Sequence, residues 1–180
     1  MPRTNTRHLN TGKGVFKDAS LRATARAAID AEWIVNDVYE GRADVAEGLL
    51  GPALPWAAEL RRHIGHGRAG KPTGQTVTIG TFTDRAELPE VAAALQQHLR
   101  KAVFKANPEV REYATIESVA LAGVFDAPIL SRATVLDSGG PAACLYSDFA
   151  SDSSFNIPQL VEGRIVSPSQ RPRSRGAGPP

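Results

Sequence analysis

The strongest pattern in the sequence is a helical repeat of apolar side chains over residues 88–106. Apolar residues recur there at every third or fourth position, and polar residues occupy the opposite face. The preceding stretch, residues 75–82, alternates apolar and threonine side chains, which is the pattern of a β-strand with two different faces. Because the helix has one apolar face, it must bury that face against another element. The two segments together predict a domain that contains both a strand and a long amphipathic helix.

The segments on either side of this pair differ in character. Upstream, the spacing of apolar residues is helical in three segments: residues 18–41, 43–50 and 56–64. Downstream, turn residues separate four short segments that favour β-structure: residues 116–125, 129–136, 142–149 and 160–166. This order predicts an α+β fold with N-terminal helices, one strand, one long amphipathic helix and then a mostly antiparallel β-meander.

Basic residues are concentrated at the two ends of the chain. Four lie in residues 1–17 and four in residues 163–180, and neither end contains an acidic residue. The body between them holds the other 13 of the 21 basic residues and all 19 acidic ones. This separation predicts a basic N-terminal arm (1–17), a single domain (18–166) and a basic tail rich in Pro, Arg and Gly (167–180). We expect the ends to contact acidic partners through Arg3, Arg7, Lys13, Lys17, Arg171, Arg173 and Arg175.

The densest cluster of positive charge in the body lies between residues 61 and 71. Glycines within this stretch would let the backbone approach a phosphate closely. No aromatic residue that could stack on a base occurs between Trp56 and Phe82. The cluster is therefore a candidate anion or nucleic-acid contact, with an ordinary solvated loop as the alternative. Its members are Arg61, Arg62, His63, His66, Arg68 and Lys71.

Two short motifs resemble enzyme signatures but lack residues that the chemistry needs. Residues 65–71 match the start of a phosphate-binding P-loop, yet Pro72 stands where a hydroxyl residue would bind magnesium. Residues 137–141 resemble the nucleophile segment of trypsin-like serine proteases, yet none of the four histidines lies in that family's setting. His63 and His66 have too few neighbouring ligands for zinc. The sequence therefore predicts no catalytic residue, cofactor or metal, and it favours a non-enzymatic protein.

Three further observations concern the compartment. The sequence has one cysteine, Cys144, and no apolar run long enough to span a bilayer. Its N-terminus is polar and lacks the apolar core of a secretory signal. We therefore expect a cytoplasmic location, or a particle assembled in the cytoplasm, and no membrane partner.

These features favour a non-enzymatic assembly or interaction protein, such as a structural component of a virion, a phage particle or another multi-subunit complex. Its basic arms would contact acidic neighbouring subunits. One alternative is a nucleic-acid-associated accessory protein that uses the cluster at 61–71 and the two ends. Another alternative is a small enzyme or ligand-binding domain whose site is assembled from residues distant in sequence, with Ser138, His66 and Cys144 as the first to test.

Overall fold

A computed structural model describes residues 3–46, 48, 67–133, 141–150 and 153–161. Four strands and five α-helices lie in these ranges. The strands are β1 (Arg3–Arg7), β2 (Thr76–Phe82), β3 (Lys105–Arg111) and β4 (Ile129–Ala133). The helices are α1 (Ala19–Ala27), α2 (Ala31–Asp37), α3 (Glu87–Lys101), α4 (Tyr113–Leu121) and α5 (Pro141–Phe149), and a short 3₁₀-helix covers Val15–Lys17.

The central unit of the fold is β2–α3–β3. The two strands are parallel, with a register that runs from Thr76 opposite Lys105 to Phe82 opposite Arg111. A parallel pair needs a crossover connection, and α3 provides it. The apolar stripe of α3 is buried together with alternate residues of β2: Leu88, Val91, Leu95 and Leu99 with Val77 and Ile79. The helix ends at Lys101, before the predicted 106, and Val103 has a positive φ and is exposed.

A second pair of strands lies beside this unit. β1 and β4 are antiparallel, with Arg3 opposite Ala133 and Arg7 opposite Ile129. The two pairs of strands are joined by hydrogen bonds between Thr78 of β2 and the segment just before β4. The carbonyl of Thr78 accepts from the amides of Asp126 and Ala127, and its amide donates to Asp126 Oδ2 at 2.9 Å. The segment predicted to be a basic arm therefore contributes a strand that is anchored to the rest of the domain.

The predicted β-meander after residue 108 is wrong. Residues 113–121 form helix α4, which buries Ile116 and Ala120 one turn apart, and residues 141–149 form helix α5. Of the four predicted downstream strands, only the second contains a strand in the described residues, β4. An additional strand, β3, contains Pro108, which a strand tolerates because β3 is hydrogen-bonded only to β2. Strands and helices alternate from β2 to α5, so the predicted segregation of helices from strands is also wrong.

The helices near the N-terminus begin at side-chain caps. Asp18 Oδ1 accepts from the amide of Ser20 at 2.7 Å, and Asp30 Oδ1 accepts from the amide of Trp33 at 2.9 Å. These bonds satisfy amides of the first turn, which have no partner within the helix. Both helices pack their apolar faces toward the core, which includes Phe16, Leu21, Ala25 and Ile34.

Candidate functional site

Strands β1 and β4 separate two concave surfaces. Side chains of successive residues in a strand point to opposite faces. His8, directly after β1, lines one surface, whereas its neighbours Arg7 and Leu9 line the other. In β4, Leu130 lines the same surface as His8, and Ile129 lines the same surface as Arg7. The domain thus presents two candidate sites on opposite sides of these strands.

The first surface, which we call the acidic cavity, has a volume of about 80 Å³. It lies among β2, α4, β4, α5 and the segment at 155–157. The residues that line it are His8, Phe82, Tyr113, Ile116, Glu117, Leu130, Ser131, Asp148, Phe155 and Ile157. Most of them are apolar or aromatic, as in ordinary ligand sites, where a few polar groups fix the orientation of the ligand.

Ring contacts hold the walls of the acidic cavity in place. Phe149, at the end of α5, stacks on His8 with ring centroids 5.7 Å apart. Tyr113, at the start of α4, meets Phe82 edge-on with ring centroids 5.1 Å apart. These two contacts connect the helices that carry the acidic residues to the strands behind them.

The charge of the acidic cavity is one-sided. Its described lining holds the carboxyl groups of Glu117 and Asp148 and contains no Lys or Arg. Asp148 is only 9% exposed, so its carboxylate lies largely away from bulk water. Ser131 Oγ is also buried and has no hydrogen-bond partner. A buried carboxylate beside aromatic walls attracts a positively charged group more strongly than one in open water.

The second surface, which we call the arginine groove, has a volume of about 880 Å³. It runs along β1, α1 and α2 and reaches α3. Its floor is apolar and includes Ile34, Leu95 and Ile129. In the part of the chain that the structure describes, its charged lining consists of Arg3, Arg7, Arg22, Arg26 and Asp44, four cations against one acid.

The structure describes only some of the basic residues that the sequence predicted as contacts. Arg68 and Lys71 are exposed in a segment that runs beside α1, where Thr24 Oγ1 donates to the carbonyl of Gly70 at 2.8 Å. Arg3 and Arg7 lie in the arginine groove, and Lys13 Nζ donates to the carbonyl of Ala122 at 3.1 Å. Lys17 is exposed at the end of the 3₁₀-helix. The other predicted contacts lie outside the described residues: Arg61, Arg62, His63, His66, Arg171, Arg173 and Arg175.

The structure does not test the residues suggested for an enzyme site. His66 and Ser138 lie outside the described residues, and Cys144 is part of α5. Sequence reasoning missed the residues of the acidic cavity, because Glu117 and Asp148 are single acids with no motif spacing. Asp148 also lies in a segment predicted to be a strand, and only the fold brings it to the same cavity as His8, which is 140 positions earlier.

Comparison with known proteins identifies the class of the chain. Residues 2–156 match the family model described as "Bacterial extracellular solute-binding proteins, family 5 Middle". The match covers well over half of the 180 residues. The chain therefore belongs to this family of solute-binding proteins. No curated protein sequence matches it.

Solved structures of similar fold carry the same class of name. A nickel ABC transporter protein from Bacillus halodurans aligns with a TM-score of 0.70 and 20% identity over 89% of this chain and 37% of its own. NikA from Staphylococcus aureus, in complex with Ni(L-His)2, aligns with a TM-score of 0.71 and 19% identity. This alignment covers 88% of this chain and 36% of NikA. The oligopeptide-binding protein AppA from Bacillus subtilis, in complex with a nonapeptide, aligns with a TM-score of 0.69 and 18% identity. This alignment covers 89% of this chain and 36% of AppA. The chain thus spans little more than a third of the length of these proteins.

The family corrects several predictions. The interpretation as a structural component of a virion or multi-subunit complex is wrong, because the family consists of solute-binding proteins. Neighbouring subunits and nucleic acid are likewise wrong as the principal partners. The predicted cytoplasmic location is wrong for a family of extracellular proteins. Basic ends misled the interpretation because net charge reports on non-specific attraction and not on the fold. Among the described residues, no helix is long and apolar enough to cross a membrane.

Proposed function

We propose that this chain forms part of a solute-binding site, in which the acidic cavity holds the positively charged end of the solute. The observation that carries the proposal is the pairing of Asp148 and Glu117 in a cavity whose described lining has no basic Lys or Arg. A peptide supplies a fitting group in its N-terminal ammonium. Peptides are the ligands named for similar proteins, AppA with a nonapeptide and DppA from Helicobacter pylori with the peptide STSA.

The energetic argument concerns the environment of Asp148. Its carboxylate is largely removed from water, and Coulomb attraction grows as the effective dielectric constant falls. An ammonium group that enters the cavity would form a charge-assisted hydrogen bond with this carboxylate. Ser131 Oγ offers a further polar contact, since it is buried without a partner. The aromatic rings of Phe82 and Tyr113 would border the adjoining carbon atoms.

The size of the acidic cavity limits what it can enclose. At about 80 Å³ it is far smaller than the ligand sites of roughly 300–1,000 Å³ that enclose whole small molecules. It therefore suits one end of a solute. Periplasmic binding proteins close around ligands by hinge motion between domains. The remaining two thirds of the length of the similar structures would supply the opposite wall in a complete protein.

The test is a titration of the ¹⁵N-labelled chain with trialanine and with N-acetyl-trialanine, followed by NMR. We expect saturable shifts at residues around His8, Ser131 and Asp148 with trialanine. Acetylation removes the positive charge, so binding should weaken at least about tenfold, which is the effect of losing roughly 1.4 kcal/mol. Asp148→Asn should remove this preference. Glu90→Gln, an exposed acid of α3, is the matched control and should retain it.

Two results would contradict the proposal: equal binding of both peptides to the wild-type chain, or an undiminished preference in Asp148→Asn. A nickel–histidine complex serves as a third probe, because similar structures carry nickel in their names. The described residues contain no group of three or more His, Cys, Asp or Glu that could hold a metal ion. A metal would thus enter with its own ligands. Tighter binding of this complex than of trialanine would assign the cavity to metal complexes instead of peptides.

A further inference from the structure

The arginine groove contains a partly buried cation, Arg7, for which no described residue supplies an acidic partner. Arg7 Nη1 donates to the carbonyl of Ala25 at 3.3 Å, which is a long bond. Arg7 Nε is buried and has no hydrogen-bond partner. The ion pairs among the described residues involve other arginines, Arg42, Arg85 and Arg111. A buried guanidinium normally has a carboxylate or phosphate partner, because desolvating an unpaired charge costs several kcal/mol.

A second polar group lies beside it on the same face of β1. Asn5 is two residues before Arg7, and its Nδ2 donates to the hydroxyl of Tyr39 at 2.6 Å. Its Oδ1 is buried without a partner. Rotation of the amide by 180° would let the Tyr39 hydroxyl donate to Oδ1 and would leave both Nδ2 hydrogens free to donate elsewhere. Asn5 can therefore act as a second donor next to Arg7.

The neighbouring arginines of the groove make the site around Arg7 more favourable for an anion. Burial, and the positive charge of Arg26, lower the pKa of Arg7 to about 10. The guanidinium still carries its charge at neutral pH. The described lining of the groove holds four arginines and a single acid, Asp44. The folded chain thus keeps a concentrated positive charge in a partly desolvated place, without a described acid to neutralise it at Arg7.

We propose that the arginine groove is a binding site for an organic oxyanion, a carboxylate or a phosphate, with Arg7 as its central donor. A planar guanidinium presents two N–H groups that match the two oxygens of such an anion. The apolar floor around Ile34, Leu95 and Ile129 would contact a hydrocarbon part of the same molecule. This site faces away from the acidic cavity, so it does not depend on the function proposed for that cavity.

The experiment measures the Arg7 Nε–H resonance of the ¹⁵N-labelled full chain during separate titrations with hexanoate and with hexyl phosphate, at constant ionic strength. We expect saturable shifts of this resonance, and the tighter of the two probes identifies carboxylate or phosphate as the preferred group. Hexyltrimethylammonium, which has the same tail and the opposite charge, should leave it unchanged. Arg7→Met should weaken anion binding at least tenfold, measured by calorimetry. Arg100→Met, an exposed arginine of α3 outside the groove, should bind as the wild type does.

The proposal is overturned if neither anion shifts the Arg7 resonance, or if Arg7→Met and wild type bind the anions equally. Arg7→Lys is a second variant in case Arg7→Met fails to fold. It keeps the positive charge and loses the planar pair of donors, so it should bind the anions more weakly than the wild type does. Asp148→Asn should bind the anions unchanged. That result separates a failure at this groove from a failure at the acidic cavity.

Discussion

The acidic cavity and the arginine groove lie back to back, and adjacent residues of one chain segment define both. His8 faces the cavity and stacks on Phe149, whereas Arg7 faces the groove and leaves its Nε unpaired. The cavity is small and acidic, and the groove is large and basic. The comparison teaches that neighbouring residues of one short segment can contribute to two surfaces of opposite charge.

The strands that separate the two surfaces depend on close packing at Gly80. A Cβ atom on residue 80 would overlap the ring of Phe125, which is buried beside the junction at Asp126. We expect Gly80→Ala to lower the free energy of unfolding by about 3 kcal/mol, the upper range for overpacking. Urea denaturation measures this loss. The same change in a Phe125→Leu background should cost less, because the smaller side chain can yield; an equal cost would refute the explanation.

The unpaired cation of the groove should make the chain less stable than it could be. We expect Arg7→Met to raise the free energy of unfolding at pH 7 by about 2 kcal/mol, since an apolar side chain of similar length removes a buried charge. The pKa of Arg7 is lowered to about 10, so this cost is fully present below pH 10. Above pH 10 the unfolded chain binds more protons than the folded chain, so the wild type should gain stability relative to the variant. Parallel urea titrations at pH 7 and 10.5 would show a constant difference if the explanation is wrong.

The unpaired hydroxyl of Ser131 in the acidic cavity should also lower the free energy of unfolding, by less than Arg7 does. Ser131 Oγ is buried without a partner, so Ser131→Ala removes a desolvated polar group. We expect a gain of about 1 kcal/mol in thermal or urea denaturation. The variant should also bind trialanine more weakly, if the hydroxyl contacts the solute. Ser118→Ala, whose hydroxyl donates to the carbonyl of Thr115 on the exposed side of α4, is a control expected to show no gain.

The smallest effect concerns His98 on α3, whose ring meets Trp33 of α2 edge-on at 5.3 Å. Burial, and then Lys101, lower the pKa of His98, while Asp30 opposes the shift. The unfolded chain therefore takes up a proton first as the pH falls. Stability should decline below about pH 6.5 and level off below the folded-state pKa. His98→Gln should flatten this part of the profile, and a profile unchanged by the substitution would contradict the assignment.

The elements that the sequence predicted well are those with a strong local signal. The apolar stripe from Leu88 to Leu99 and the alternation around Val77 and Ile79 correspond to α3 and β2. Helix α1, with Asp18 as its cap, lies within the segment 18–41 that the spacing predicts to be helical. Each signal arises from neighbouring residues and their spacing. Such patterns fix local structure whenever one face of an element must be buried.

The failures concern segments whose structure depends on distant partners. The sequence Arg3–Arg7 is polar throughout and was predicted to be an arm, yet it forms β1 because residues 129–133 supply its hydrogen bonds. Short apolar segments such as 113–121 fit a strand or a helix equally well, and packing of Ile116 and Ala120 selected the helix. The acidic cavity could not be predicted from the sequence for the same reason, since His8, Glu117 and Asp148 lie in separate parts of the chain.

By itself the sequence determined that a strand and an amphipathic helix form the centre of this protein, because period and apolar content depend only on neighbouring residues. It also determined where the charges lie along the chain. The tertiary structure decided that β2 and β3 are parallel, that β1 joins β4, and that Arg7 and Asp148 end up on opposite sides of those strands. Pairing between distant segments is set by the burial of the whole core, and no local pattern encodes it.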